Sequence, residues 1–426
     1  MIRARLKTLR RVFFAAVLLG LMVCGAEVGV RVYEGVQGTS ICAAVDQGCV
    51  TDPAGLSVPS WIANRELRPL ATAEVQCRDG RRIVELQTNS FGIRGPEIAV
   101  PKPSETYRIV VLGDETILAP ETPEEEHCVH LLTQFLQQRT RLRIEILNAG
   151  IPGACPLTEY LLFTHRLLAL QPDLVVSHFD WSDVFDDQQL RRRTRSDARG
   201  NPLSCPHASL IAVPSAPKPI DTLRRESRLV DWALTATGQK WKQQITEQAA
   251  SSRESGANPY AWLRDEHPEE SVAVVQSFQP LADLARLASS SSFQLVVVTS
   301  PKPWQVSARC SSGAETRLKS GVAEDAYFPN RAPFDALAAL ADRLRIPYAD
   351  ASPALATDPE PEVHFLRYAP RWSPAGHRRV AEFLASFLME RVPGPWNSRY
   401  FHETNPPQAL REPEAHHGVR WTSGTR

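Results

Sequence analysis

The sequence predicts a three-layer α/β/α domain built on a parallel sheet of five strands. The predicted strands are short apolar runs at 108–112, 142–147, 173–179, 294–299 and 346–349. Runs that are apolar on both faces are typical of parallel strands, because helices cover such a sheet from both sides. Hydrophobic residues make up 43% of the 426 residues and charged residues 23%, which suits one large globular domain with attachments.

Start signals predict the helices between these strands. Thr122 is expected to be the N-cap of the first helix, with Pro123 at its first position and Glu125 completing a capping box. A second helix is expected over 156–170, starting at a proline. Further helices are predicted near 272–288, 334–344 and 374–390, the last with Ser373 as its N-cap.

The first 34 residues have the pattern of an export segment. An apolar run over 12–26 follows five basic residues, Arg3, Arg5, Lys7, Arg10 and Arg11. A cleaved signal peptide and a retained membrane-anchoring helix both fit this pattern, and the sequence leaves both open. Because basic residues stay on the cytoplasmic side, we expect the bulk of the chain in the membrane or cell envelope, on the extracytoplasmic side.

The rest of the chain divides into three predicted parts. Residues 35–106 are polar and contain one compact turn signal, which indicates a stalk and a small β-rich lead-in. The main domain is expected over 107–392, interrupted at 187–270 by an Arg-rich insertion or cap. Residues 393–426 are rich in Pro, His and Arg with little apolar periodicity, and they are predicted to be disordered.

Charge and cysteine spacing exclude several classes of function. The formal net charge is zero and no long basic run occurs, so the sequence gives no sign of nucleic-acid binding. The eight cysteines contain no C-x-x-C pair and no zinc-ligand spacing. Cys128 and Cys155 lie in apolar segments and are expected to be buried thiols. We expect no cofactor and no metal.

Four motif blocks occur in an order that resembles the SGNH/GDSL hydrolases. They are N-S-x-G-x-R-G at 89–95, V-L-G-D at 111–114, N-A-G-x-P-G at 148–153, and Trp372 followed by A-G-H at 375–377. The resemblance covers roughly residues 89–388. It implies a flavodoxin-like α/β/α fold and the activity of a serine esterase or O-acyltransferase, whose site lies at the carboxyl ends of the strands.

Carried over by this resemblance, the catalytic positions are altered almost everywhere. They are Glu115 for the serine nucleophile, Gly153 and Ser182 for the oxyanion glycine and asparagine, Arg371 for the histidine, and Tyr368 or Ala369 for its aspartate. Only the glycine is retained. Acyl transfer needs a nucleophile, a base and donors to the oxyanion, so the resemblance implies a site without its usual chemistry.

The substituted positions suggest a new contact. Because the family's serine and histidine touch, Glu115 and Arg371 are expected to face each other as an ion pair within about 6 Å. The simpler alternative is that Glu115 only complements a helix N-terminus and that Arg371 is an exposed loop residue.

Other polar residues have ordinary interpretations. His178, Asp180, Asp183, Asp186 and Asp187 cluster after the third strand, and we interpret them as solvated acidic residues at a helix start instead of a cation site. His127 and His130 are expected at the surface or at its boundary.

The sequence therefore predicts an inactive pseudo-hydrolase with a binding or supporting role in envelope or glycan metabolism. Its expected ligand is an acylated glycan or lipid, and its expected membrane contact is the N-terminal helix. The alternative is an active ester hydrolase or O-acyltransferase that uses non-standard residues, for which Glu115, Asp114 and Asp183 are the local carboxylates.

Overall fold

The computed structural model describes residues 55–77, 83–211 and 259–397, together with Met22, Gly25 and Ala26. The predicted export segment lies outside these residues except at those three positions. Most of the predicted insertion and the chain after 397 also lie outside them. No helix in the described part of the chain is long and apolar enough to cross a membrane.

A small β-rich region precedes the main domain. Its strands are β1 (Ser57–Pro59), β2 (Arg65–Leu67), β3 (Thr72–Gln76) and β4 (Ile83–Gln87). β1 pairs with β2 and β3 with β4, both antiparallel. The following 89–95 block is a turn built by Asn89, whose Oδ1 accepts the amide N–H groups of Phe91 and Ile93 at 2.9 and 3.1 Å.

Five parallel strands form the central sheet, which confirms the predicted fold class. The remaining strands are β5 (Thr106–Gly113), β6 (Arg143–Gly150), β7 (Leu174–Phe179), the short hairpin β8 (Arg195–Ser196) and β9 (Pro202–Ser204), β10 (Gln294–Thr299), and β11 (Tyr348–Asp350). The sheet has the order β11-β10-β7-β5-β6. This is the flavodoxin-type order. All five strands are parallel, but the sequence order of the strands reverses between β5 and β7, and this switch point leaves a crevice at the carboxyl ends of the two strands.

Helices cover both faces of the sheet. They are α1 (Glu115–Leu118), α2 (Cys128–Gln137), α3 (Pro156–Leu162), α4 (Asp183–Arg191), α5 (Ala208–Ile211), α6 (Val272–Ser277), α7 (Gln279–Ser290), α8 (Pro303–Val306), α9 (Ala314–Lys319), α10 (Ala332–Leu344), α11 (Ser352–Ala356) and α12 (Pro374–Arg391). α2 and α12 pack on one face, and α3, α7 and α10 on the other. Successive residues of β5 alternate between these two cores, because neighbouring side chains of a strand point to opposite faces.

Three helix predictions agree with the structure in different degrees. The helix predicted over 156–170 continues from α3 through a π-helical turn at Phe163–Leu167 and a 3₁₀ turn at Leu168–Leu170. The N-cap of α12 is Ser373, whose Oγ accepts the Gly376 amide at 3.2 Å, as predicted. The single helix predicted over 272–288 is instead divided into α6 and α7.

The predicted start of the first long helix is wrong. α2 begins at Cys128, and its N-cap is His127, whose Nδ1 accepts the amide N–H three residues later at 3.2 Å. The reason is Arg94, whose guanidinium donates to three carbonyls of the 118–122 segment, including that of Thr122 at 2.8 Å. These bonds hold the segment as a loop, so Thr122 does not act as the cap.

One burial prediction, that for His127, needs correction, and three agree with the structure. His127 is 1% exposed and is not a surface residue, although His130 is half-buried as expected. Trp396, which follows the predicted boundary at 393, packs edge-on against Tyr107 with ring centroids 5.4 Å apart. Cys128 and Cys155 are the predicted buried thiols.

Candidate functional site

Glu115 lies where β5 ends, at the point where the sheet reverses its order. Asp114 is the N-cap of α1, and its Oδ1 accepts the Thr116 amide at 2.7 Å. Two glycines let this short helix approach the sheet. A Cβ on Gly113 would lie 2.3 Å from Ile117 Cγ1, and one on Gly150 would lie 2.3 Å from the backbone nitrogen of Leu118. The V-L-G-D and N-A-G blocks therefore fix where Glu115 emerges.

The Glu115 carboxylate accepts a hydrogen bond from the oxyanion glycine. The Gly153 amide donates to Oε2 of Glu115 at 3.0 Å. Gly153 has a φ of +66°, a left-handed conformation that glycine adopts at little cost and that points its N–H into the site. The donor that would face an oxyanion in an active member of the resembled family is thus engaged by the chain's own side chain.

Arg371 joins Glu115 at the position of the family's base. Its Nη1 lies 3.8 Å from Oε1 of Glu115, so the predicted pair is present within the expected limit. A closer partner is Glu121, which also contacts the guanidinium and which the sequence did not identify. Burial opposes the charged form of Arg371, but Glu121 and Glu115 outweigh it and raise its pKa above the ordinary value. A permanently charged guanidinium cannot accept a proton as a base.

The remaining predicted positions do not complete a catalytic set. Ser182 donates its hydroxyl to Oδ1 of Asp180 at 2.5 Å, and its backbone N–H donates to the same oxygen at 2.8 Å. Tyr368 is half-buried, and Ala369 is buried with its carbonyl accepting from Ser311 Oγ at 3.1 Å. Neither of these positions offers a carboxylate. The structure thus brings together Glu115, Gly153 and Arg371, whereas Ser182 bonds to Asp180.

The acidic cluster after β7 is buried, so its interpretation as solvated residues is wrong for most members. Asp180, Asp183 and Asp187 are each at most 2% exposed. Asp180 pairs with Lys302, whose Nζ lies 2.5 Å from its Oδ1, and Asp187 pairs with Arg191 at 2.8 Å. The counter-charge of Asp180 comes from a distant part of the chain and that of Asp187 from the next turn of α4, whereas burial raises the pKa of Asp183 well above its ordinary value.

Sequence reasoning missed Lys302, although a signal for it existed. Lys302 lies three residues after the carboxyl end of β10, whereas Asp114 and Asp180 come directly after β5 and β7. The rule that informative residues follow parallel strands therefore applies to it as well. Its side chain is 5% exposed, and no motif block surrounds it.

Burial and charge push neighbouring carboxyl groups in opposite directions. Against the effect of burial, Lys302 and His178 hold the pKa of Asp180 below its ordinary value. Burial raises the pKa of Asp114 well above its ordinary value, and repulsion from Asp180 and Glu115 adds to the effect. The pKa values of these two neighbouring aspartates are therefore shifted in opposite directions, a pattern found both in catalytic sites and in structural networks.

Two residues of the cluster after β7, together with Asp114, have the spacing that would suit a cation. Asp114, His178 and Asp180 each place a ligand atom within 4.8 Å of the others. Lys302 already supplies a positive charge to Asp180. His178 shares a hydrogen bond with Ser300 Oγ at 3.0 Å, and burial lowers its pKa to about 4. The negative charge of Asp180 is thus neutralised by Lys302, a side chain of the protein itself.

Solved structures that resemble this chain include lipases and esterases. A lipase/acylhydrolase from Enterococcus faecalis is 10% identical, with 67% of this chain and 96% of that chain covered and a TM-score of 0.35. A GDSL-like lipase from Bacteroides thetaiotaomicron is 11% identical, with 69% and 93% covered and a TM-score of 0.35. An acetylxylan esterase from Geobacillus stearothermophilus, solved as a catalytic mutant, is 12% identical, with 66% and 94% covered and a TM-score of 0.34.

No family model matches the sequence, and no curated protein is significantly similar to it. Likenesses of this size carry no information about substrate or activity. The parallel sheet and its strand order define a three-layer α/β/α fold of the flavodoxin type, and the motif blocks around Glu115 resemble those of the SGNH/GDSL hydrolases. By that resemblance, Glu115 and Arg371 occupy the positions of a serine and a histidine.

Proposed function

We propose that this protein is a non-hydrolytic member of the SGNH/GDSL-like class, with a binding or supporting role. The observation that carries the proposal is the position of Glu115. Its carboxylate stands where the nucleophile would be and accepts the Gly153 amide at 3.0 Å. One side chain thereby replaces the nucleophile and engages an oxyanion donor.

The chemistry of acyl transfer explains why this arrangement favours lost hydrolysis. The serine mechanism requires a hydroxyl that a neighbouring base can deprotonate, and donors aimed at the developing oxyanion. Glu115 has no hydroxyl, and the raised pKa of Arg371 excludes it as the base. Because the Gly153 amide is engaged by Glu115, the electrostatic part of the mechanism is also unavailable to an ester.

The alternative of an active enzyme with unusual carboxylates receives less support from the geometry. Asp114 is 2% exposed and bonded to the Thr116 amide, and Asp183 is 1% exposed with its Oδ2 bonded to the Asp180 amide at 3.0 Å. Both carboxyls support the backbone turns that carry them. Neither is placed to act on a substrate at the Glu115 position.

The proposed setting is the cell envelope, with an acylated glycan or lipid as the ligand. It rests on the basic and apolar pattern of residues 1–34 and on the class of the fold. A protein that has kept the scaffold of an esterase without its chemistry is suited to bind the type of molecule that the scaffold accommodates. This part of the proposal awaits a ligand screen, in which a binding role requires saturable affinity and a purely structural role shows none.

The decisive experiment is an acetyl-ester hydrolysis assay on the purified full chain. We expect no turnover above the buffer rate with p-nitrophenyl acetate for the wild type and for Glu115→Ala. Glu382→Ala is the matched control, because this glutamate is exposed on α12 and pairs only loosely with Arg379 at 3.8 Å. Turnover by the wild type that Glu115→Ala abolishes and Glu382→Ala leaves intact would refute the proposal.

A further inference from the structure

Two groups of different kinds face the Glu115 carboxylate. The backbone amide of Gly153 donates a hydrogen bond to it at 3.0 Å, and the Arg371 guanidinium lies at ion-pair distance, with Nη1 3.8 Å from Oε1. The Glu115 side chain is 19% exposed, whereas that of Arg371 is 8% exposed. The Glu115 side chain is therefore partly accessible to solvent, whereas the guanidinium that faces it is nearly buried.

These donors are fixed by contacts that do not involve Glu115. Glu121, whose side chain is 9% exposed, contacts Arg371 directly, and its backbone carbonyl accepts from Cys77 Sγ at 3.4 Å. Gly153 belongs to the loop after β6, where Ala154 donates its amide to the Ile151 carbonyl at 3.0 Å. If the Glu115 side chain left, the guanidinium and the amide would remain in place and would need another acceptor.

We propose that the Gly153 amide and the Arg371 guanidinium form a carboxylate-binding subsite, and that a carboxylate of an outside ligand binds there in exchange for the Glu115 side chain. This inference rests on the proposed binding function and names the chemical class of the ligand. A guanidinium combined with a backbone N–H suits a carboxylate, because charge-assisted hydrogen bonds are about twice as strong as neutral ones.

Charge balance explains why exchange is required. Arg371 already faces two carboxylates, Glu115 and Glu121. A further anion that bound beside them would be repelled, whereas an anion that replaces Glu115 leaves the local charge unchanged. A neutral group in place of Glu115 would leave the buried guanidinium with one carboxylate fewer, which costs free energy in a desolvated site.

The first test uses the full chain labelled with ¹⁵N-glycine and follows the Gly153 amide resonance by NMR. Sodium acetate is titrated against sodium chloride at matched ionic strength and pH. In Glu115→Ala we expect a saturable shift at an acetate concentration at least tenfold lower than in the wild type. Glu382→Ala should behave as the wild type does. Equal acetate dependence in Glu115→Ala and wild type, or no dependence in either, would overturn the subsite.

The second test examines exchange in the wild type with a sugar acid. Glucuronate should shift the Gly153 amide resonance saturably, and glucose at the same concentration should not. An equal shift with glucose, or no shift with glucuronate, would overturn the exchange. The double variant Glu115→Ala with Arg371→Met should lose the acetate response. If the double variant does not fold, the acetate dependence of the Gly153 resonance in Glu115→Ala and in wild type tests the subsite alone. Wild-type ester hydrolysis would instead contradict the proposed function, so the two failures are distinguishable.

Discussion

Lys302 and Asp180 form an ion pair inside the protein, with the ammonium 2.5 Å from Oδ1 and 2.7 Å from Oδ2. Their side chains are 5% and 3% exposed, and they follow the ends of the neighbouring strands β10 and β7. Thr116 adds a hydroxyl 3.3 Å from the same carboxylate. The pair thereby links the carboxyl ends of β10 and β7 to α1, the short helix that follows β5 and begins at Glu115.

We predict that Lys302→Met destabilises the protein by about 3–5 kcal/mol, because it leaves a buried carboxylate without its counter-ion. The measurement is the free energy of unfolding in urea. The double variant Lys302→Met with Asp180→Leu should lose less stability than the two single variants together, since it removes both charges. Additive losses would show that the two groups do not interact energetically.

Arg94→Ala is predicted to destabilise the protein by about 3 kcal/mol, because three carbonyls of the 118–122 segment lose a buried donor. The same urea measurement applies. Arg379→Ala is the control, since its side chain is 46% exposed and donates to one carbonyl, that of Ala354. We expect the control to lie within about 0.5 kcal/mol of the wild type. Equal losses for both variants would contradict the structural role of Arg94.

The arrangement of strands could be predicted from the sequence, because each strand is a short apolar run between polar turns. The approach of Arg371 to Glu115 could also be predicted, because the resemblance to the SGNH/GDSL hydrolases implies that the serine and histidine positions touch. The first prediction uses information that is local in the sequence, and the second uses the resemblance.

The partners of these residues could not be predicted, because they depend on long-range packing. Lys302 is 122 positions away from Asp180 in the chain, and nothing near the acidic residues reveals that a lysine neutralises one of them. The error at Thr122 has the same origin. Its local capping signal is sound, but Arg94, 28 positions earlier, donates to the Thr122 carbonyl, which in an N-cap residue would accept the first hydrogen bond of the helix.

Trp396→Ala is predicted to cost about 3–5 kcal/mol of stability, as expected for a large aromatic side chain removed from a core. Its indole N–H donates to the carbonyls of Leu388 and Val392, both at 3.0 Å. Trp61→Ala should change the stability by no more than about 0.5 kcal/mol, because Trp61 is 55% exposed. A loss as small for Trp396 as for Trp61 would place the end of the folded domain before residue 393, as the sequence predicted.

Glu159 is predicted to make the stability depend on pH. Its carboxyl is 2% exposed, and burial raises its pKa to about 8, although Ser177 Oγ donates to Oε2 at 2.9 Å. The folded state therefore keeps a proton that the unfolded state releases near pH 4.5. The resulting stabilisation is complete below about pH 4.5 and is lost as the pH rises towards 8, by up to ~1.4 kcal/mol per pH unit.

Glu159→Gln isolates this contribution, because the amide keeps the size of the side chain and does not titrate. The free energies of unfolding of wild type and variant are measured from pH 5 to pH 8, and their difference is compared across the range. We expect the variant to gain stability relative to the wild type as the pH rises. A difference that stays constant with pH would show that Glu159 is ionised in the folded protein, with a partner that the present geometry does not supply.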